Sequence, residues 1–164
     1  MLPLTEKIIR ASFANASRKE VSVLTLPPDF DELDWEAVDY LGWRDPKMSK
    51  RSYVVVPSGE GEVTAILLRE ADARPAARAQ CTWCQDVKLP NDVVFFSAKR
   101  AGAAGRNGDT VGTLVCAEFQ CSTNVRRPVP PAYLGFDVDA AREERILALR
   151  ERAAAFAENV LRPS

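Results

Sequence analysis

The plainest hydrophobic pattern in the chain is a pair of β-branched runs, "SYVVVPS" and "EVTAILLRE", on either side of a Gly-Glu-Gly turn. It predicts a β-hairpin over 52–70. A second pair of strand-like runs, "DVVFFSAK" and "TVGTLVC", flanks the glycine-rich "RAGAAGRNGD" and predicts another hairpin. Phe95 and Phe96 are consecutive in it, so one faces the core and the other the opposite side of the sheet. At the C-terminal end Ile146, Leu149, Ala153, Phe156 and Val160 follow 3-4-3-4 spacing, a single apolar stripe on a long helix beginning near Asp139. Asp137 and Asp139 are its caps, and the stripe is expected to pack on the sheet.

The N-terminal part is less periodic. Thr5 can cap a helix, "TEKIIRASFAN", with Ile8, Ile9, Ser12 and Phe13 on one side. "SRKE" at 17–20 has the form of a capping box, yet it runs into "VSVLTLPP", which reads more like a strand closed by Pro27-Pro28. Trp35, Val38 and Leu41, spaced by three, predict a short helix over "DWEAVDYLGW" with Asp34 as cap and with Gly42 and Pro46 at its end. "ADARPAARAQ" reads as a connector and "RRPVPPAY" as a rigid linker.

Composition narrows the chemistry. The 164 residues carry a net charge of −1, which does not advertise nucleic acid as a whole-chain partner. The first residues lack the apolar core of a signal peptide and no run approaches a membrane span, so a cytoplasmic location is expected, with no membrane and no small-molecule substrate as partner. Histidine is absent, which removes Ser-His-Asp and Cys-His catalysis and every imidazole metal ligand. No Walker loop, GxGxxG or GxSxG is present, and "GAAGRNGD" lacks the Lys-Ser/Thr of a phosphate loop. A non-catalytic protein is the expectation.

Four cysteines remain, as Cys81-x2-Cys84-x31-Cys116-x4-Cys121. A two-residue gap lets a tight knuckle aim two sulfurs at one ion, and four thiolates around zinc make a closed tetrahedron with no position for water. The long insert reads as a hairpin, and "CAEFQCSTN" as a strand passing into a helix whose first-turn N–H groups favour a thiolate. Knuckle, hairpin, then helix is the order of a treble-clef zinc finger holding one structural zinc. Two other readings of the same residues stand beside it, a thioredoxin-like redox pair and four unrelated buried thiols. The fold class is therefore α+β: N-terminal helices with a β-hairpin in residues 1–80, then a zinc module with the C-terminal helix in 81–164, the two hairpins being able to share one sheet.

Within this frame "LGWRDPKMSKRSYVVV", "CTWCQDV", "FFSAKRAGAAGRNGDTVGTLVCAEFQCS" and "RRP" resemble the elongation factor G-binding proteins. These are the FusB-type group with a C-terminal treble-clef zinc finger, here in the stand-alone form expected in actinobacteria. The resemblance implies that Cys81, Cys84, Cys116 and Cys121 hold the zinc and that the partner is the translocase elongation factor G. Resistance proteins of the group release that factor from ribosomes stalled by fusidic acid. Their N-terminal helical bundle differs from the shorter, hairpin-containing first 80 residues of this chain.

For a partner surface, the sequence offers Lys99, Arg100 and Arg106 at the hairpin tip, Arg126 and Arg127 after the last ligand, and Trp83 inside the knuckle. The cations suit an acidic protein surface or ribosomal RNA, and an outward Trp83 would anchor an interface. The plainer reading is a solvated loop and a tryptophan packed on the adjacent helix. Trp35, Tyr40 and Trp43 lie in the acidic run 29–45, where they form either a second patch or a staple between a helix and the sheet.

Overall fold

A computed structural model describes residues 1–59, 61–72, 79–86, 92–131 and 133–163. The two expected hairpins are β2 (Arg51–Pro57) with β3 (Val63–Glu70), and β4 (Val93–Lys99) with β5 (Thr110–Cys116). A short strand β1 (Leu41–Arg44) joins the first, giving an antiparallel sheet in the order β1-β2-β3-β4-β5. The connector at 73–78 and residue 132 of the Pro-rich linker lie outside the described residues.

β2 and β3 each carry an unbroken buried run, Ser52–Val56 and Thr64–Leu68, because both faces of this half of the sheet are covered. On one face Val54, Val56, Ile66 and Leu68 meet the long helix α5 (Val138–Leu161) and the cysteines. On the other, Tyr53, Val55, Ala65 and Leu67 meet Ile9, Leu24, Leu41 and Trp43. β4 and β5 alternate instead: Phe96, Ala98, Val111, Thr113 and Val115 are buried, while Phe95, Lys99, Thr110 and Gly112 are exposed.

The join between the hairpins is narrow. Among the described residues β3 and β4 pair through Arg69↔Ser97 and Glu70↔Phe96, and Ala71 N–H donates to the Phe95 carbonyl just past them. Toward Leu67 and Lys99 the side chain of Asn15 bridges the strands. Its amide oxygen accepts from Leu67 N–H at 2.8 Å, and its amide nitrogen donates to the carbonyls of Leu67 and Lys99, each at 3.0 Å. The sheet thus crosses the boundary that the sequence suggests near residue 80.

The N-terminal elements differ from expectation in instructive ways. α1 (Glu6–Ala11) is capped by Thr5, whose hydroxyl accepts from Ile8 N–H, but it stops at Ser12 because Phe13 forms a parallel bridge to Ala65. The capping box is real: Ser17 and Glu20 bond reciprocally and start α2 (Arg18–Ser22). "VSVLTLPP" is accordingly no strand; Leu24 drops into the second core and Trp43 donates its indole N–H to Thr25. Over 34–43 the predicted helix is also corrected. Asp34 caps only a turn, and Leu41–Arg44 pairs with β2. Leu41 and Trp43 alternate into the second core, and Gly42 leaves room for Phe119, which a Cβ there would approach to 2.7 Å. Strand pairing outweighs the three-residue spacing. The aromatics therefore serve as packing: Trp43 against Tyr53, Trp35 against Phe30, and Tyr40 against Trp83.

At the second hairpin tip a short helix, α3 (Gly102–Arg106), replaces the expected open loop. Gly105 is required there, since a Cβ would lie 1.8 Å from the Arg100 carbonyl oxygen. A further short helix, α4 (Cys121–Arg126), follows β5, and α5 begins at Val138 behind Asp137, whose carboxylate accepts from the N–H groups of Asp139 and Ala140. The whole predicted stripe of α5 is buried, with Ala157 added to it. Among the described residues no helix is long and apolar enough to cross a membrane.

These burials set a stability test. Leu149 is fully buried and Leu147, two positions away, is 54% exposed. Leu149→Ala is expected to cost about 2–5 kcal/mol and Leu147→Ala less than about 0.5 kcal/mol, measured by urea unfolding of the zinc-loaded protein.

Candidate metal centre

The four cysteines reach one point from three elements. Cys81 and Cys84 sit on a turn closed by the Gln85 N–H to the Cys81 carbonyl at 3.0 Å, Cys116 ends β5, and Cys121 opens α4. A second turn closes from Phe119 N–H to the Cys116 carbonyl at 2.9 Å. Both turns place a side-chain-bearing residue in the left-handed region, Gln85 at φ 53° and Phe119 at φ 56°. Such backbone persists where surrounding structure over-determines it, and here it aims the sulfurs.

The sulfurs of Cys81 and Cys121 are 3.6 Å apart and those of Cys84 and Cys116 are 3.7 Å apart. All four lie within 4.8 Å of one another and all four residues are buried. A disulfide needs about 2.05 Å, so these are separate thiols. A zinc ion with sulfurs at about 2.3 Å has tetrahedral edges of about 3.8 Å, close to the spacings seen. Four soft donors with no imidazole fit that ion.

Electrostatics asks for it as well. Hydrogen bonds from Cys116, Cys121 and Cys84 hold the Cys81 thiol far below its ordinary value, and those of Cys116 and Cys121 bring Cys84 down to about 7. The other two then resist ionisation. Cys121 is pushed far up by Cys116, Cys81 and Cys84; Cys116 is drawn down by Cys121 but raised more by Cys81, Cys84 and burial. A dication reverses this, because a coordinating thiol deprotonates outright.

The sulfurs also receive N–H donors. Cys84 N–H points at Cys81 Sγ at 3.5 Å. The fully buried Asn124 donates its amide to Cys116 Sγ at 3.5 Å and to Cys84 Sγ at 3.7 Å. Sequence reasoning missed Asn124; the available signal was an amide one helical turn after the last ligand.

A family model described as the FBP C-terminal treble-clef zinc-finger matches residues 8–160. The chain belongs to this family. The treble clef holds one structural zinc, and Cys81, Cys84, Cys116 and Cys121 are clustered so that they could hold it. Among solved structures, that of the fusidic acid resistance protein FusC is similar, with 21% identity and a TM-score of 0.45 over 62% of this chain. The match covers 44% of FusC, so the chain spans less than half that protein's length. No curated protein matches.

In this treble-clef protein Trp83 takes the packed position of the two expected for it, and its candidacy as a partner residue is corrected. Trp83 is 2% exposed, with its ring 4.8 Å from that of Tyr40 and 5.6 Å from that of Phe156. α5 closes over the knuckle, and Arg152 adds a hydrogen bond to the Trp83 carbonyl at 3.0 Å. The candidate cations separate into two groups. Lys99 and Arg106 are exposed at the hairpin tip, with Arg100 beside them donating to the Asn159 carbonyl. Arg126 and Arg127 lie at the end of α4, where the Arg127 carbonyl accepts from Arg145.

Arg126 is committed to a partner that the acidic run concealed. Asp39 is buried and accepts from both terminal nitrogens of Arg126 and from Arg150 Nε at 2.8 Å. Its backbone N–H donates to Ser122 Oγ at 2.9 Å, and Tyr40 next to it donates its hydroxyl to the Phe119 carbonyl at 3.2 Å. Asp45, from the same run, accepts from the Tyr53 hydroxyl at 2.6 Å and caps the turn at Lys47 and Met48. Two members of the acidic run are thus structural fasteners.

Removing the Asn124 amide should lower zinc affinity about 10- to 100-fold while leaving one zinc per chain, as read by chelator competition on Asn124→Ala. For Asp39, burial raises the carboxyl pKa, but hydrogen bonds from Arg126 and Arg150 outweigh it and hold the carboxyl below its ordinary value. Its contribution is therefore complete above the unfolded value of about 3.9 and is lost as pH falls through the lower folded value. At pH 7 Arg126→Ala is expected to cost about 3 kcal/mol in urea unfolding, the low end for a broken buried pair because Arg150 remains.

Proposed function

We propose that this chain binds the translation elongation factor G and acts on ribosome-associated translation as a non-catalytic adaptor, in the manner of FusB-type proteins. The observation that carries the proposal is the family match across residues 8–160 together with a centre whose four ligands are all buried. A closed four-thiolate zinc leaves no position for a substrate, so the work falls to the surface that the metal shapes. The contact assigned here is the α4 side of the zinc module, at Arg127, with Arg126 fixed beside it by Asp39. An acidic protein surface suits those cations. Protection against fusidic acid lies outside the proposal, since the chain matches under half of FusC.

The expected result is retention of purified elongation factor G by the immobilised zinc-loaded chain at about 150 mM salt. Stripping the zinc with a chelator should abolish retention, because structural zinc supplies folding energy to its module. Equal capture with and without zinc, or no capture at all, would count against the reading.

A further inference from the structure

The face of the sheet opposite α5 is covered over β1, β2 and β3 by the N-terminal elements, whereas on β4 and β5, among the described residues, Phe95, Lys99, Thr110 and Gly112 remain exposed. Of these, Phe95 is 40% exposed. Its ring is held in place by a neighbour without a side chain: a Cβ at Gly112 would come within 2.3 Å of the ring's far atom, Cζ. The aromatic thus rests on bare backbone with surface left toward solvent.

Across the strand pair from the ring is half-buried Leu114, and toward Lys99 the face turns polar and cationic. Ser97 is half-buried, while Thr110 and Lys99 are exposed on the same face. Arg69 pairs across from Ser97, and its half-exposed side chain meets Glu20 at 2.9 Å. Lys99 follows Phe95 by four residues, about 13 Å along the strand. Past Lys99 a groove of about 290 Å³ runs between Ala14–Ser17 and α3, with Lys99, Arg100 and Arg106 on its walls. Glu20 is the carboxylate lining it, and it is already committed to Ser17 and Arg69.

We propose that this face binds single-stranded RNA, with Phe95 as the stacking platform and Lys99 and Arg106 on the phosphates. Beyond Leu114, which stands directly across the strand pair from Phe95, Ser97, Gly112 and the cations of Lys99 and Arg69 extend along the same face, and that charge suits a polyanion. A base stacks on an aromatic face whatever its sequence, and a cationic groove beside it tracks the backbone. The Ser97 hydroxyl, two positions along the strand from the ring, and that of Thr110, which pairs with Lys99, suit ribose 2′-OH groups along the strand, which favours RNA over DNA.

The test uses the full zinc-loaded chain and a fluorescein-labelled single-stranded RNA of mixed sequence, about 12 nucleotides long, followed by anisotropy across a salt series. Phe95→Ala and Phe95→Leu should each weaken binding about tenfold, while Phe95→Trp should keep it, since only an aromatic ring stacks. Lys99→Gln and Arg106→Gln should each lower the slope of log affinity against log salt by about 0.7. Zinc content and thermal midpoint serve as controls for folding, and the two charge variants stand as a second readout if a Phe95 variant folds poorly. The proposal is overturned by lack of RNA binding at low salt or by full affinity in Phe95→Ala. Full affinity in Phe95→Leu, which would mark a merely apolar surface, overturns it too, as does equal affinity for the matching DNA. Retention of elongation factor G is scored separately; its loss in Phe95→Ala with RNA binding intact would reassign the face to a protein.

Discussion

Four thiolates gathered within 4.8 Å repel one another too strongly to coexist without a cation among them. At 3.6 Å each neighbouring pair costs about 5 kcal/mol even at an effective dielectric of 20. Every sulfur faces three others. Hydrogen bonds among the four lower Cys81 and Cys84 and raise Cys116 and Cys121 relative to an ordinary thiol, an imbalance that a dication removes. After zinc binds, the cluster still carries a formal charge of about −2 in a buried site. The Asn124 amide and the Cys84 N–H answer that residue of charge directly. The position of α4, which carries both Cys121 and Asn124, follows from the same requirement.

The metal centre then organises what packs on it. Trp83 lies between two ligands, so fixing the sulfurs fixes its ring, and Tyr40 and Phe156 close around it from β1's approach and from α5. Asp39 ties the same three parts together with charge: its backbone reaches Ser122 on α4, and its carboxylate reaches Arg126 on α4 and Arg150 on α5. Phe119, in strained backbone between the late ligands, packs on Phe96 with ring centroids 5.2 Å apart and needs Gly42 to be side-chain free. A tryptophan in this position serves the scaffold. That is why the knuckle, the most conspicuous feature of the sequence, is a poor candidate for an interface.

How much of this was legible depended on how far each cause reaches along the chain. The hairpins and the α5 stripe were readable because periods of two and of three to four are local. The clustering of the four cysteines was readable because a metal knuckle needs few residues and a lack of histidine left thiolates and carboxylates as the donors. The segment 34–44 was misread because its partners are distant: β2 for the backbone, Phe119 for Gly42. Asp39 looked like one acid among many, since its partner Arg126 is 87 residues away. The Ser17–Glu20 box was legible in full, and the apolar run after it was deceptive; Leu24 and Leu26 are packing residues without a strand to pair with.

The sheet's unequal covering bears on function more than the metal does. Over Ser52–Val56 and Thr64–Leu68 both faces are buried, and none of those side chains can meet a partner. Over β4 and β5 one face is locked into the zinc core by Phe96, Ala98, Val111 and Val115, which holds the strands rigid. The opposite side chains of the same strands inherit that rigidity while remaining in water. A ring at Phe95 is therefore pre-positioned by the metal-centred core behind it, and contact there would cost little ordering entropy. On this arrangement the zinc is structural: it stiffens one side of the sheet and leaves the other, at Phe95, in water.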